Sequence, residues 1–150
     1  MPSFNPSSGT PRKMSPSLEQ YIEAIADLLT RDKVCSISEI AAQVQVSRPA
    51  ASRAIRDLSE QDLVEHRSYG YVDLTEKGHS IADMLTVRHE VIYHFMTDVL
   101  NYDDEWADQE ACRLEHQVDD DFVERLKTLT EFMQSKPDTL KKLREFQGNK

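Results

Sequence analysis

Cys112, Glu115 and His116 stand in the run Glu110-Ala-Cys-Arg-Leu-Glu-His116, a thiol, a carboxylate and an imidazole at offsets of three and four. On an α-helix those offsets share one face, so the three donors converge. A mixed sulfur, oxygen and nitrogen set of this kind suits a first-row divalent metal. Taken alone, the pattern also fits a buried cysteine beside solvated charges. Two further residues strengthen the metal reading. His89, in Val87-Arg88-His89-Glu90, shares a helical stripe with Leu85 and Ile92, and Glu23 interrupts an otherwise apolar first helix. Each has its own bland reading, a hydrogen-bonded core histidine and a solvated carboxylate.

A second chemistry is written in Ser47-Arg-Pro-Ala-Ala-Ser-Arg-Ala-Ile-Arg56. A helix that reads DNA needs small or polar residues at its N-terminal end, so that backbone and short side chains reach base edges. It also needs cations for phosphates. Ser47, Pro49, Ala50 and Ser52 supply the first kind, with apolar contacts available to thymine methyls. Arg53 suits a guanine or a phosphate, and Arg48, Arg56 and the later Arg67 suit phosphates. Three arginines by themselves would equally make an ordinary solvated face.

The elements that must position these residues can be read in order. Ser17-Leu-Glu-Gln20 fits a capping box, and Leu18, Ile22, Ile25 and Leu29 follow at helical spacing, giving a helix to about Thr30. After a break at 31–36, Ser38 is expected to cap a short helix over Glu39–Val44. A tight turn at 45–47 leads into a longer helix from Arg48 to about Asp62, with Pro49 harmless in its first turn. Two β-prone runs around Ser68-Tyr-Gly70 make a hairpin with Arg67 near its tip. Thr75-Glu-Lys-Gly78 then caps a long helix reaching Phe95 or Met96. Helix-turn-helix followed by hairpin predicts a winged helix. Beyond Asn101 three helices are expected, about 103–116, 120–133 and 137–146. The apolar face of the second, Phe122, Leu126, Leu129 and Met133 with Val123, is more than one small body can bury, which predicts a homodimer. The fold class is thus mainly α: an N-terminal winged helix-turn-helix over 17–78 and a C-terminal helical metal-binding and dimerisation domain over 79–150, after a disordered Ser/Pro-rich arm at 1–16.

The net charge of −9 argues at first against nucleic acid, but residues 1–80 carry only −2 of it and residues 81–150 carry −7. The front half can therefore hold a local basic face, while carboxylates concentrate where a cation site is expected. No run approaches the roughly 18 apolar residues of a membrane span. Two distant cysteines without a secretory signal suggest a cytoplasmic setting with reduced thiols, so either could be a ligand.

The sequence closely resembles the diphtheria toxin repressor and manganese transport regulator family from about Ser17 to Met133. The resemblance rests on Ser-Leu-Glu-Gln-Tyr-Ile-Glu at 17–23, Leu74-Thr-Glu-Lys-Gly78, Arg88-His89 and the Glu110–His116 run. It implies a homodimer that binds a palindromic operator in double-stranded DNA when loaded with Mn(II) or Fe(II), repressing metal-uptake genes, in the two-domain form without a further barrel. Carried over by position, it implies a primary site of Cys112, Glu115 and His116 with Gln20 where relatives place Met or Asp. The neighbouring site would draw on Glu23, His89 and Asp108. Gln20 is a weak neutral ligand, and Tyr93 replaces a family carboxylate. The thiol leans toward Fe(II), Co(II) or Zn(II), and the carboxylates toward Mn(II). Two other readings compete. A metallohydrolase needs an open coordination position, a general base and a pocket, none of them legible here. A winged-helix regulator of a small organic ligand would leave the Cys/Glu/His face structural.

Overall fold

The computed structural model describes residues 16–32 and 34–148, with side chains from 18 onward. The helix starts at Pro16, before the expected cap Ser17, whose side chain lies outside the described residues, as does the arm before Pro16. Helix α1 (Pro16–Arg31) takes in Pro16, which needs no amide partner in a first helical turn. Its apolar face buries Ile22 and Ile25 completely, with Tyr21 and Leu28 beside them. Full burial of such a side chain is worth about 1.5–3 kcal/mol, enough to seat the helix firmly on the winged domain.

Helix α2 (Ile37–Gln43) is capped by Ser36 and not by Ser38. The Ser36 hydroxyl accepts from the Glu39 amide at 3.3 Å, and the Glu39 carboxylate accepts from the Ser36 amide at 2.8 Å. That reciprocal pair needs a three-residue spacing, which Ser36-Ile-Ser-Glu39 has; Ser38 adjoins Glu39 and falls inside the first turn. Helix α3 (Arg48–Glu60) ends before the expected Asp62, which adopts a left-handed backbone with φ of 59° and turns the chain. The wing is β2 (Val64–His66) and β3 (Tyr71–Leu74), antiparallel, with Val64 opposite Leu74. A short strand β1 (Cys35–Ser36) pairs with the other edge of β3, giving the order β1-β3-β2. Two residues carry no readable periodicity, so this strand was not expected from sequence.

Thr75 caps helix α4 (Glu76–His94), and Gly78 lets it approach the wing: a Cβ there would lie 2.1 Å from the Leu63 carbonyl oxygen. Helix α4 spans both cores. Ala82 joins the winged-helix core, and Ile92 joins a second core with Met96, Ala107 and Ala111. After a π-helical turn at Phe95–Val99 come α5 (Asp104–Leu114), α6 (Asp120–Gln134) and α7 (Pro137–Gly148). On α6 the expected apolar face divides. Met133 and Val123 are buried within the subunit and Leu126 packs on the second core, while Phe122, Leu129 and Phe132 stay about half exposed. The outward stripe is therefore Phe122-Leu129-Phe132, because α4 and the π turn already cover the other side of the helix.

Candidate metal centre and DNA-reading face

Helix α5 was expected to reach His116 but closes at Leu114, with Glu115 as its C-cap and His116 in the turn that follows. Both are buried, at 1% and 4% exposure, and both face α1. The His116 ring lies between carboxylates. Its Nδ1 is 2.9 Å from Glu19 Oε2, and its Nε2 is 3.3 Å from Glu23 Oε2 and 3.4 Å from Glu115 Oε1. Only the first contact is an aligned hydrogen bond; Nε2 is buried and, among the described residues, has ion-pair contacts to Glu23 and Glu115 without an aligned hydrogen bond. Donor atoms of Glu23, Glu115 and His116 lie within 4.8 Å of one another.

This geometry fits a divalent cation. With Nδ1–H donating to Glu19, Nε2 is the nitrogen that gives up its proton when a cation binds, and its freed lone pair would meet the ion between two carboxylate oxygens. Burying such a nitrogen without an aligned hydrogen bond is costly unless the site serves a ligand. Glu115 connects this cluster to a second one. Its Oε2 is 3.1 Å from His89 Nδ1, and His89 Nε2 is 3.1 Å from Asp108 Oδ1. One buried carboxylate thus stands between two imidazoles.

Several expectations change here. Gln20 is exposed and outside the cluster, and Glu19, not singled out from sequence, takes the inward position. Glu19 and Glu23 are four residues apart and stack on one face, whereas Gln20 is rotated about 100° from Glu19. Two carboxylates at that spacing, repelling unless a cation or imidazolium joins them, were the signal available in the sequence. Cys112 is exposed and not among the converging donors. Glu115 and His116 turn inward at the end of α5 while Cys112, within the helix, stays at the mouth. Its thiol is nevertheless raised in pKa, first by partial burial and then by Glu115, Glu23 and Asp108, so it borders the same negative cluster. Tyr93 walls the second cluster: its ring stacks on His89 and its hydroxyl donates to Asp104 at 3.2 Å.

Burial, then the nearby Glu23, pushes the Glu115 carboxyl up to about 8. The Glu23 carboxylate, with Glu19, holds His116 up to about 9. In both cases the folded state holds protons more tightly than the unfolded chain. The Glu115 contribution is complete below its ordinary 4.5 and is lost as pH rises to about 8; the His116 contribution is lost between 6.5 and about 9. The metal-free protein is therefore expected to melt at progressively lower temperature from pH 5 to 9. Added Mn(II) should restore stability increasingly across that range, since binding requires deprotonated ligands. Thermal melts in a pH series with and without metal check this, and a flat metal-free profile contradicts it.

The thiols give a second check. Burial holds Cys35 up to about 12, so it should resist iodoacetamide until the protein is unfolded. Cys112 should alkylate slowly in the metal-free protein, and more slowly still with metal if its sulfur is a ligand. Mass spectrometry of the labelled peptides distinguishes the two.

The reading face follows from α3. Ser47 caps the helix by accepting from the Ala50 amide. Ala51, Ala54, Ile55 and Leu58 are buried, leaving Ser47, Arg48, Pro49, Ser52, Arg53 and Arg56 exposed and Ala50 partly so. Among the described residues, Arg31, Arg67, Arg88, Arg113 and Arg125 are in ion pairs, whereas Arg48, Arg53 and Arg56 are in none. Arg67, 59% exposed, pairs within the wing with Asp73 at 2.7 Å and Glu65 at 3.1 Å. Strand pairing brings those carboxylates across from one another, so a phosphate reaching Arg67 competes with them. The wing tip also presents Tyr69, 97% exposed.

A winged helix whose first helix also lines a buried cluster able to hold a cation points to a metal-responsive DNA-binding regulator. Residues 13–79 match the iron dependent repressor N-terminal DNA binding domain, and residues 75–144 match the iron dependent repressor metal binding and dimerisation domain. The chain belongs to the iron dependent repressor family, whose members are DNA-binding, dimerising transcriptional regulators and not enzymes. It is 31% identical to an HTH-type transcriptional regulator of Methanocaldococcus jannaschii, covering 82% of this chain and 99% of that one. It is 28% identical to the HTH-type transcriptional regulator MntR of Shouchella clausii, covering 89% and 92%. Among solved structures, the manganese regulator SloR superposes with a TM-score of 0.67 at 37% identity, over 79% of this chain and 55% of that one. ScaR with bound Zn2+ superposes at 0.68 and 32% identity, over 77% and 54%. The chain thus spans about half the length of these solved relatives. No described helix is long and apolar enough to cross a membrane.

Proposed function

We propose that this protein is a cytoplasmic, homodimeric repressor that binds a palindromic operator when Mn(II) or Fe(II) occupies the centre formed by Glu23, Glu115 and His116. The observation that carries this reading is the buried His116 Nε2, which has no aligned hydrogen bond among the described residues and is directed at Glu23 of the first helix and at the Glu115 carboxylate. Residues 17–78 are assigned to DNA reading and 79–150 to metal binding and dimerisation. The carboxylate-dominated donor set favours Mn(II) or Fe(II), with Cys112 as a softer donor at the mouth and His89 and Asp108 forming the neighbouring cluster. Relatives point the same way: one solved neighbour is a manganese-dependent transcriptional repressor in complex with manganese.

The switch lies in α1. Its inner face is locked into the winged helix, and Gln43 of α2 donates to Asp27 on the same helix. Its other face offers Glu19 and Glu23 to the α5 turn. A bound divalent cation supplies the charge that neutralises Glu23 and Glu115 and holds the two parts together. The residues of α1 would then set the spacing of two reading heads across a dimer built on the Phe122-Leu129-Phe132 stripe, matching operator half-sites. A small organic effector has less support, since the buried carboxylates already call for a cation.

The test is gel-shift binding to the gene's own upstream DNA across a panel of divalent metals, with and without chelator. Binding that ignores both metal and chelator contradicts the proposal. In the same assay Arg53→Ala should weaken operator binding by about 1–3 kcal/mol if Arg53 contacts a base, and less if it contacts only phosphate. Unchanged affinity at moderate salt removes Arg53 from the reading surface.

A further inference from the structure

Arg88 lies outside the ligand set, yet its side chain is among the most buried charges in the protein. It is 7% exposed on α4, directly before His89. Taking a guanidinium out of water is unfavourable unless its donors are met, so their targets show what the fold uses it for. Nη2 and Nε donate to Asp120 Oδ1 at 2.7 and 3.1 Å, and Nη1 donates to the Glu115 backbone carbonyl at 3.3 Å. Those two residues bracket the turn between α5 and α6. The Glu115 carbonyl belongs to the end of α5, where carbonyls lose their helical partners, and Arg88 supplies one from a different helix. Asp120 is the first residue of α6, so the same side chain ties the start of that helix to α4.

The consequence concerns geometry at the metal centre. Glu115 and His116 lie beyond the last residue of α5, where the helical ladder no longer dictates where side chains point. We propose that Arg88 is a positioning residue for the metal centre: by holding the Glu115 carbonyl and Asp120 together against α4, it sets the turn so that the Glu115 carboxylate and His116 Nε2 meet Glu23. This inference rests on the metal reading above. It also makes the ligand turn and the start of α6, which carries the exposed apolar stripe, one mechanical unit.

The experiment uses the full chain with Arg88→Lys, Asp120→Ala and the double variant. Lysine keeps the charge, but an ammonium cannot reproduce the fork of three donors. Asp120 is 74% exposed, so its truncation leaves the core intact should the Arg88 variant fold poorly. Arg113→Ala, which removes a surface pair with Glu110, serves as control. Two quantities are read: amide hydrogen exchange at residues 115–119 in metal-free protein, and Mn(II) affinity by calorimetry. Each single variant is expected to accelerate exchange in that turn and to weaken Mn(II) binding by about tenfold or more, as loss of outer-shell support does. The double variant should be little worse than the weaker-binding single one, because both break the same clamp. Unchanged exchange and Mn(II) affinity in Asp120→Ala and Arg88→Lys overturn the proposal, even if melting temperature falls. Wild-type protein that takes up no Mn(II) overturns the metal reading and this inference with it, whereas tight wild-type binding shared by all variants overturns this inference alone.

Discussion

In a His116→Ala variant the metal-dependent gain in operator affinity disappears, while weak metal-independent DNA binding remains. A ligand can shift a conformational equilibrium only by its difference in affinity for the two states. Here that difference comes from the contact between α1 and the α5 turn, and His116 Nε2 is the one nitrogen directed at both Glu23 and Glu115. Without it, Glu23 on α1 and Glu115 on the turn remain to hold the cation, and the His116–Glu19 hydrogen bond between the turn and α1 is lost. Couplings of this kind typically change affinity by about 5- to 150-fold, and the variant should reduce that ratio to about one. The substitution also strips Glu19 of its partner, so some loss of stability is expected. The arginines of α3 that give baseline attraction are exposed on a helix anchored in the separate winged-helix core, so nonspecific binding should persist. Operator affinity titrated with Mn(II), for wild type and variant, gives the answer. A full metal-dependent gain in the variant would mean the buried triad is only structural.

Glu19→Ala is expected to weaken metal binding by about 10- to 100-fold, although Glu19 is not itself one of the converging ligands. Its carboxylate accepts the His116 Nδ1 proton at 2.9 Å, fixing both ring orientation and tautomer. Remove it, and the ring can rotate or carry its proton on Nε2, where the cation must bind. Glu19→Gln should cost less, because the amide oxygen can still accept, though without the charge that raises ligand basicity. The informative contrast is its neighbour. Gln20→Ala should leave metal affinity unchanged, since Gln20 is exposed. Calorimetric titration of all three variants decides between adjacent positions, and a large loss at Gln20 with none at Glu19 would reverse the assignment.

Much of the reading head was legible in the sequence because its instructions are local. Helical spacing marked Ile22 and Ile25 as inward, Pro49 suited the first turn of α3, and Thr75 with Gly78 marked the entry into α4. The exposed arginines of α3 followed from the same periodicity, because the small and aliphatic residues between them had to face the core. Even the misplaced cap of α2 was within reach, as Ser36 and Glu39 have the reciprocal spacing that Ser38 lacks.

The candidate metal centre was legible in its residue types and not in its arrangement. Glu115, His116, Glu23 and His89 could be singled out by chemistry, but helical periodicity only says which residues share a face. It does not say which other element that face will meet, or where a helix closes under the pull of its neighbours. A shift of one residue turns a side chain through about 100°, which is the whole difference between Glu19 and Gln20. Whether Glu115 and His116 keep one face with Cys112 depends on the closure of α5 at Leu114, and what Arg67 pairs with depends on which carboxylates strand pairing sets beside it. Likewise Met133 is buried and Phe132 is exposed because α4 and the π turn occupy one particular side of α6. The sequence by itself determined the set of donors and the reading helix, through composition and periodicity. Only tertiary packing decided which donors converge, because convergence is a property of surfaces brought together from residues as far apart as Glu19 and His116.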